Sequence, residues 1–182
     1  MPCRQMNVAL FCASAEGLPA DVVAAAGSLG QWIGRQGHTL LYGGVRKGLM
    51  EVTAQAVKAA GGRVVGVVPR YMVDAGLVSP CVDECVACRN LSERKWLLQQ
   101  QADAFVVLPG GAGTLDELFS MLAAAQAGEH GKPIYLLNLH HFWEPLLHLL
   151  RAAEAGGYAR TGSADRLRLV PSVTTLAEAL SL

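Results

Sequence analysis

An open, doubly wound α/β sheet, mostly parallel, with helices on both faces, is the fold class this sequence predicts. Three observations predict it. Short runs rich in Val, Ile, Leu and Phe alternate about six times with longer helical patterns. The runs are nearly continuously apolar, as strands buried on both faces are. The stretches between them are long enough to carry the crossovers that parallel neighbours require. At 182 residues the chain reads as one domain over 1–182, able to bury a core without disulfide or metal staples.

The elements follow in order. Val8 to Cys12 reads as the first strand. With Arg4 ahead of it and Ala13-Ser14-Ala15 behind, it imitates a signal peptide, but the apolar core is short and follows the polar Gln5 and Asn7, so a buried strand explains it better. Ala20 to Gln36 reads as a helix, with Pro19 suited to its start. His38 to Tyr42 is the second strand, and after Gly43-Gly44 a helix runs from about Gly48 to Ala60, stopped by Gly61-Gly62. Val64 to Val68 is a strand, Arg70 to Pro80 an irregular loop, and Cys85 to Cys88 a short strand. Leu91 to Ala102 is a helix, Phe105 to Leu108 a strand, and Thr114 to Ala127 a helix. Ile134 to Leu139 is a strand, a helix runs from about Trp143 to Ala155, Leu167 to Val170 is a strand, and Thr174 to Leu180 is the last helix.

Composition narrows the function classes. Lys+Arg equals Asp+Glu at 15 each, which removes the electrostatic case for broad nucleic-acid or acidic-membrane binding and tolerates self-association. No apolar run reaches the ~18 residues of a spanning helix. Cys3, Cys12, Cys81, Cys85 and Cys88 make no even disulfide framework, and the expected compartment is the cytoplasm.

Ligands of such sheets sit beyond the carboxyl ends of the strands. Two glycine-rich turns fall there: Gly43-Gly44-Val45-Arg46-Lys47-Gly48 and Pro109-Gly110-Gly111-Ala112-Gly113-Thr114. Neither is a Walker A loop, since Leu49-Met50 follows Gly48. Neither completes a dinucleotide fingerprint: the third glycine is missing after Gly113, and Asn138-Leu139-His140 supplies no ribose-binding carboxylate. A nicotinamide or flavin cofactor is therefore not expected. The second turn suits one phosphate, because glycines ahead of a helix expose backbone N–H groups and the helix N-terminus adds partial positive charge. Thr114-Leu115-Asp116-Glu117 also fits a capping box, with Thr114 as cap and Glu117 folded back on it. The Pro-Gly-Gly-x-Gly approach exceeds what a cap needs and favours phosphate.

Pro109 to Glu117 matches the PGGxGTxxE signature of the LOG ("Lonely Guy") family, cytokinin riboside 5′-monophosphate phosphoribohydrolases often labelled lysine decarboxylases, and the chain resembles that family from Asn7 to Tyr158. Tyr42-Gly43-Gly44 with Gly48-Leu49-Met50 resembles its YGGGxxGLMG, and Arg94-Lys95 its Arg-Lys pair. Gln126-Ala127-Gly128, Lys132-Pro133, Leu136-Leu137-Asn138 and Pro145-Leu146-Leu147 follow its later segments. The resemblance implies a Rossmann-like nucleotide-binding hydrolase domain. It implies hydrolysis of the N-glycosidic bond of adenosine-type 5′-monophosphates, without cofactor or metal, by at least a homodimer. Glu117 and Arg94 would be catalytic. Lys95, Gly110, Gly111, Ala112, Gly113, Thr114, Asp116, Gly43, Gly44 and Met50 would bind substrate. A carboxylate such as Glu117 suits the oxocarbenium-like sugar of N-glycoside cleavage, while Arg94 could hold phosphate or assist the departing base.

The chain departs from the family at three places. Val45 stands where a third glycine is frequent, Glu51 replaces the glycine after Met50, and the family's substrate-contacting acid aligns to Gly76. A flexible loop and weakened binding are expected there, with Gly76→Glu lowering KM if the backbone does not need positive φ. Other motifs are weaker. Cys81-x3-Cys85-x2-Cys88 has iron–sulfur spacing, but on a strand Cys85 and Cys88 face opposite ways. Ser92-x-x-Lys95 lacks its companion motifs. His140-His141 reads as surface or capping. Two further functions compete: a non-catalytic nucleotide-binding protein on the same scaffold, and a pyridoxal-phosphate decarboxylase for which Lys95 and Lys132 are candidates only by default.

Overall fold

The computed structural model describes residues 5–180, so Cys3 and Arg4 lie outside the described residues. The strands are β1 (Asn7–Phe11), β2 (Thr39–Tyr42), β3 (Arg63–Pro69), β4 (Glu84–Cys88), β5 (Ala104–Val107), β6 (Ile134–Leu137) and β7 (Leu167–Val170). The helices are α1 (Ala20–Arg35), α2 (Gly48–Ala59), α3 (Arg70–Asp74), α4 (Leu91–Gln101), α5 (Ala112–Ala127), α6 (Glu144–Ala155) and α7 (Val173–Leu180). All seven strands pair in parallel, in the order β4-β3-β2-β1-β5-β6-β7.

Alternation along the strands divides the core in two. Val8, Leu10, Leu40, Tyr42 and Val106 face α1, α2 and α7, whereas Ala9, Phe11, Leu41, Phe105 and Val107 face α4, α5 and α6. Every residue of β2, β5 and β6 is buried, which is why they read as unbroken apolar runs. The signal-like segment is the central strand β1. On the first face α1 lies close on α2: a Cβ at Gly30 would stand 2.4 Å from Thr53 O, and one at Gly34 would stand 2.6 Å from Ala60 Cβ.

Order reverses at β1, whose neighbours are β2 and β5. The crevice beyond their carboxyl ends is where such a sheet holds its ligand.

Three expectations need correction. The Arg70 to Pro80 segment is not all irregular. It contains α3, closed by a glycine: Gly76 has φ +69°, its N–H bonds Val73 O at 2.9 Å, and Leu77 N–H bonds Met72 O at 3.0 Å. This is a Schellman ending, in which the glycine supplies the left-handed turn. Gly76 is thus a fixed helix terminus rather than a source of flexibility, and its φ opposes the Gly76→Glu rescue. The helix expected from Thr114 begins earlier: α5 starts two residues before it, with Gly111 as N-cap and Thr114 buried, so the alternative capping box does not form. Finally, β6 ends at Leu137, and Leu139–His141 forms a 3₁₀ turn with left-handed backbone at His140 and His141.

Candidate active site

A cavity of about 300 Å³ lies beyond β1, β2 and β5. Its wall on the β5 side is the start of α5. The helix's first hydrogen bond runs from Leu115 N–H to Gly111 O, so the N–H groups of Ala112, Gly113 and Thr114 have no acceptor within the helix. Gly110 is required by contact: a Cβ there would stand 2.1 Å from Thr114 Oγ1. The threonine side chain therefore folds back over the turn, leaving the helix N-terminus free of a side-chain cap. Partial positive charge and donors that the helix leaves over make this end of the cavity suited to an anion.

Deeper in the cavity, α4 and α5 each contribute one charged side chain. Arg94 donates from Nη2 to Glu117 Oε1 at 3.0 Å, with the two side chains only 15% and 12% exposed. Burial pushes the Glu117 carboxyl up to about 7, against the pull of the Arg94 guanidinium. The group therefore exchanges its proton near neutral pH. Arg94 Nε is buried and has no acceptor among the described residues. Gly43 makes room for the guanidinium, since a Cβ there would lie 3.3 Å from Arg94 Nη1 and 3.6 Å from Met50 Sδ. Gly44 has φ +70°, and a Cβ on it would collide with Val68 at 2.4 Å. The glycine pair thus lets the β2–α2 turn pass close to both the pair and β3.

Of the residues singled out from the sequence, Arg94, Glu117, Met50, Gly111, Ala112, Gly113 and Thr114 line this one cavity. Gly43 and Gly44 support it from behind. Lys95 and Asp116 do not line it: they pair with each other, Nζ lying 2.7 Å from both carboxylate oxygens. Gly110 lines a neighbouring cavity. Val45, the departure in the first glycine-rich turn, lines the first cavity too, whereas sequence reasoning missed Cys12, Ser14, Lys47, Met72 and Leu77 as lining residues. Lys47 was legible as a cation in a glycine-rich turn. Met72 and Leu77 carried no signal, because they depend on how α3 folds over the site.

The neighbouring cavity, about 340 Å³, is nearly all apolar and includes Leu18, Val22, Leu139 and Phe142. It shares only Gly111 with the first. Cys85 is exposed and Cys88 buried, on opposite faces of β4 as the alternation requires. Burial, then the charge of Glu117, pushes the Cys12 thiol far up, so it stays protonated. His140 pairs with Asp21 at 2.6 Å and His141 with Glu144. Neither candidate Schiff-base lysine is free: Lys95 holds Asp116, and Lys132 Nζ donates to the carbonyls of Gln99 and Gln100 at the end of α4.

A family model described as possible lysine decarboxylase matches residues 50–180. The chain is similar to a probable cytokinin riboside 5′-monophosphate phosphoribohydrolase of Oryza sativa subsp. japonica, LOGL2, at 36% identity over 97% of this chain and 72% of that one. It is similar to the phosphoribohydrolase LOG5 of Arabidopsis thaliana at 34% identity, covering 97% and 78%. Among solved structures, the molybdenum cofactor binding protein of Rippkaea orientalis superposes with a TM-score of 0.74 at 24% identity, covering 97% and 96%. The molybdenum cofactor carrier protein of Chlamydomonas reinhardtii does so with 0.75 at 22%, covering 97% and 96%. At those identities the likeness is one of fold.

Proposed function

Because the chain belongs to the LOG family of phosphoribohydrolases, which the possible-lysine-decarboxylase model detects, we propose that it hydrolyses the N-glycosidic bond of adenosine-type nucleoside 5′-monophosphates, plain or N6-substituted, to free base and ribose 5-phosphate. The observation that carries this reading is the buried Arg94–Glu117 pair in the same cavity as the uncapped N-terminus of α5.

The substrate phosphate accepts hydrogen bonds from the N–H groups at Ala112 to Thr114, with the helix dipole adding to the attraction. The ribose then lies beside Glu117, one turn along α5. As the C1′–N bond lengthens, its electron pair leaves with the base and positive charge grows on the sugar, where the Glu117 carboxylate stabilises it. Water adds at C1′ and passes a proton to Glu117, whose raised pKa suits it as a base near neutrality. The base takes a proton from solvent as it leaves, and Glu117 returns to solvent the one it accepted, so that one water is added across the C1′–N bond and the carboxylate is regenerated. Arg94 orients the carboxylate and opposes its neutralisation.

Incubation with AMP and with its N6-isopentenyl analogue, followed for free base, tests the activity. Release of base with ribose 5-phosphate is expected, and AMP should be cleaved far better than adenosine. The alternative, nucleotide binding without turnover, draws on Gly76 standing where the family has its acid. Binding of AMP with no base released would establish it. We further propose that a second copy covers α4 and α5 beside the pair, where Trp96 and Phe119 are 56% and 39% exposed. Sedimentation of the intact chain as a monomer at micromolar concentration would refute this. The cytoplasm remains our proposed compartment; no helix among the described residues is long and apolar enough to cross a membrane.

A further inference from the structure

Resting on the hydrolase reading above, we propose that the leaving base docks beneath the strap formed by α3 and the residues up to Ser79, against Met72 and Leu77, and that Leu77 is a specificity-determining residue for it.

The order of groups in the cavity motivates this. The N-terminus of α5 stands at the β5 end, the Arg94–Glu117 pair follows, and Val45, Met72 and Leu77 come from the segments that follow β2 and β3. A base is bonded directly to ribose C1′. If phosphate occupies the α5 end and the sugar lies at Glu117, the base extends towards the β2–β3 side. The wall there is made by Val45, Met72 and Leu77 with Lys47 beside them, and the thioethers of Met50 and Met72 are of a kind that packs well on aromatic rings. The neighbouring apolar cavity is lined by neither Arg94 nor Glu117 and meets this one only at Gly111, so a base placed there would lie apart from the sugar machinery.

The strap is also held in place. Val78 bridges Val45 in antiparallel fashion, Arg46 N–H bonds Leu77 O at 3.2 Å, and Ser79 N–H bonds Gly44 O at 2.9 Å. With Leu77 N–H committed to Met72 O, both backbone groups of Leu77 are fixed. Its side chain nevertheless remains 41% exposed while lining the cavity. A pre-oriented, half-covered leucine at the expected base position offers contact area with little further ordering cost.

Calorimetric binding of AMP and of ribose 5-phosphate to Glu117→Gln, which should bind AMP with little turnover, and to the same protein carrying Leu77→Ser or Leu77→Met tests the assignment. The serine variant should bind AMP about tenfold more weakly, which corresponds to about 1.4 kcal/mol. Its affinity for ribose 5-phosphate, which has no base, should stay within about twofold, and methionine should restore AMP binding. Unchanged melting temperatures check that the variants fold. Equal weakening of both ligands would overturn the proposal, making the strap a general support of the site. No change for either would also overturn it and put the base elsewhere, a placement that Val22→Trp in the second cavity would then block. AMP binding without hydrolysis in the unmodified protein would defeat the hydrolase reading alone. If neither ligand bound that protein, both would fall.

Discussion

Arg94 and Lys95 are neighbours on α4, as Asp116 and Glu117 are on α5, yet the two ion pairs they form across the helices behave differently. Lys95 holds Asp116 at 2.7 Å with the carboxylate 56% exposed. Arg94 holds Glu117 at 3.0 Å with both side chains mostly covered. The shorter pair is the more ordinary one, because water screens it and competes for its charges. The longer pair sits where charge is costly, so the Glu117 carboxyl is pushed up to about 7 even with a guanidinium on it. One helical step separates a surface contact from a group able to move a proton.

Breaking the inner pair should have the largest effect. Glu117→Gln keeps the shape and an acceptor for Arg94 but not the charge, so turnover should fall ~10²–10⁴-fold with AMP binding largely kept. Unchanged turnover would remove Glu117 from the chemistry. Arg94→Ala leaves Glu117 buried without its partner and should lower stability by about 3 kcal/mol, read by denaturant unfolding, along with activity. The matched change outside, Lys95→Ala, should cost at most about 1 kcal/mol and change kcat/KM by less than about threefold. Equal losses from the two variants would erase the distinction between the pairs.

Acidity sharpens the contrast. Because Glu117 must be ionised to act, kcat/KM should fall as pH drops below about 7, and the residual activity of Glu117→Gln should lack that limb. Substrate phosphate titrates near ~6 for both proteins, so the difference between the profiles isolates Glu117. Stability runs the other way. The folded-state pKa is raised above the ordinary 4.5, so the contribution of the protonated group is complete below that value and is lost as pH rises to about 7. Melting temperatures of Glu117→Gln should therefore gain on the unmodified protein across that window and hold a constant lead above it. The smallest effect is expected from Asp116→Asn: a stability change under about 1 kcal/mol and no displaced limb in the activity profile.

Most of the fold was legible in the chain. Runs such as Leu40–Tyr42 and Phe105–Val107 announce strands because a strand covered on both faces has no polar side to show, and the glycine pairs mark the turns that follow. Boundaries failed where tertiary contacts overrode local preference. Thr114 looks like a cap, yet it is drawn into α5 and buried because Gly110 leaves a space that its side chain fills. Gly76 looked like a gain of slack where the family has an acid. The slack is absent, because Gly76 is the left-handed end of α3, and Leu77 follows it into the cavity wall.

Sequence alone therefore determined the α/β alternation and the two glycine-rich turns, which are written in local patterns of burial and backbone permissiveness, while the resemblance to the LOG family picked out the Arg and Glu that meet in the cavity. Only the tertiary structure decided that Arg94 takes Glu117 while Lys95 takes Asp116, that the first pair is dry and the second wet, and that Met72 and Leu77 roof the cavity. Those outcomes depend on depth and on contacts between segments far apart in the chain. A side chain's identity fixes its charge, but its surroundings set how costly that charge is and therefore what it can do.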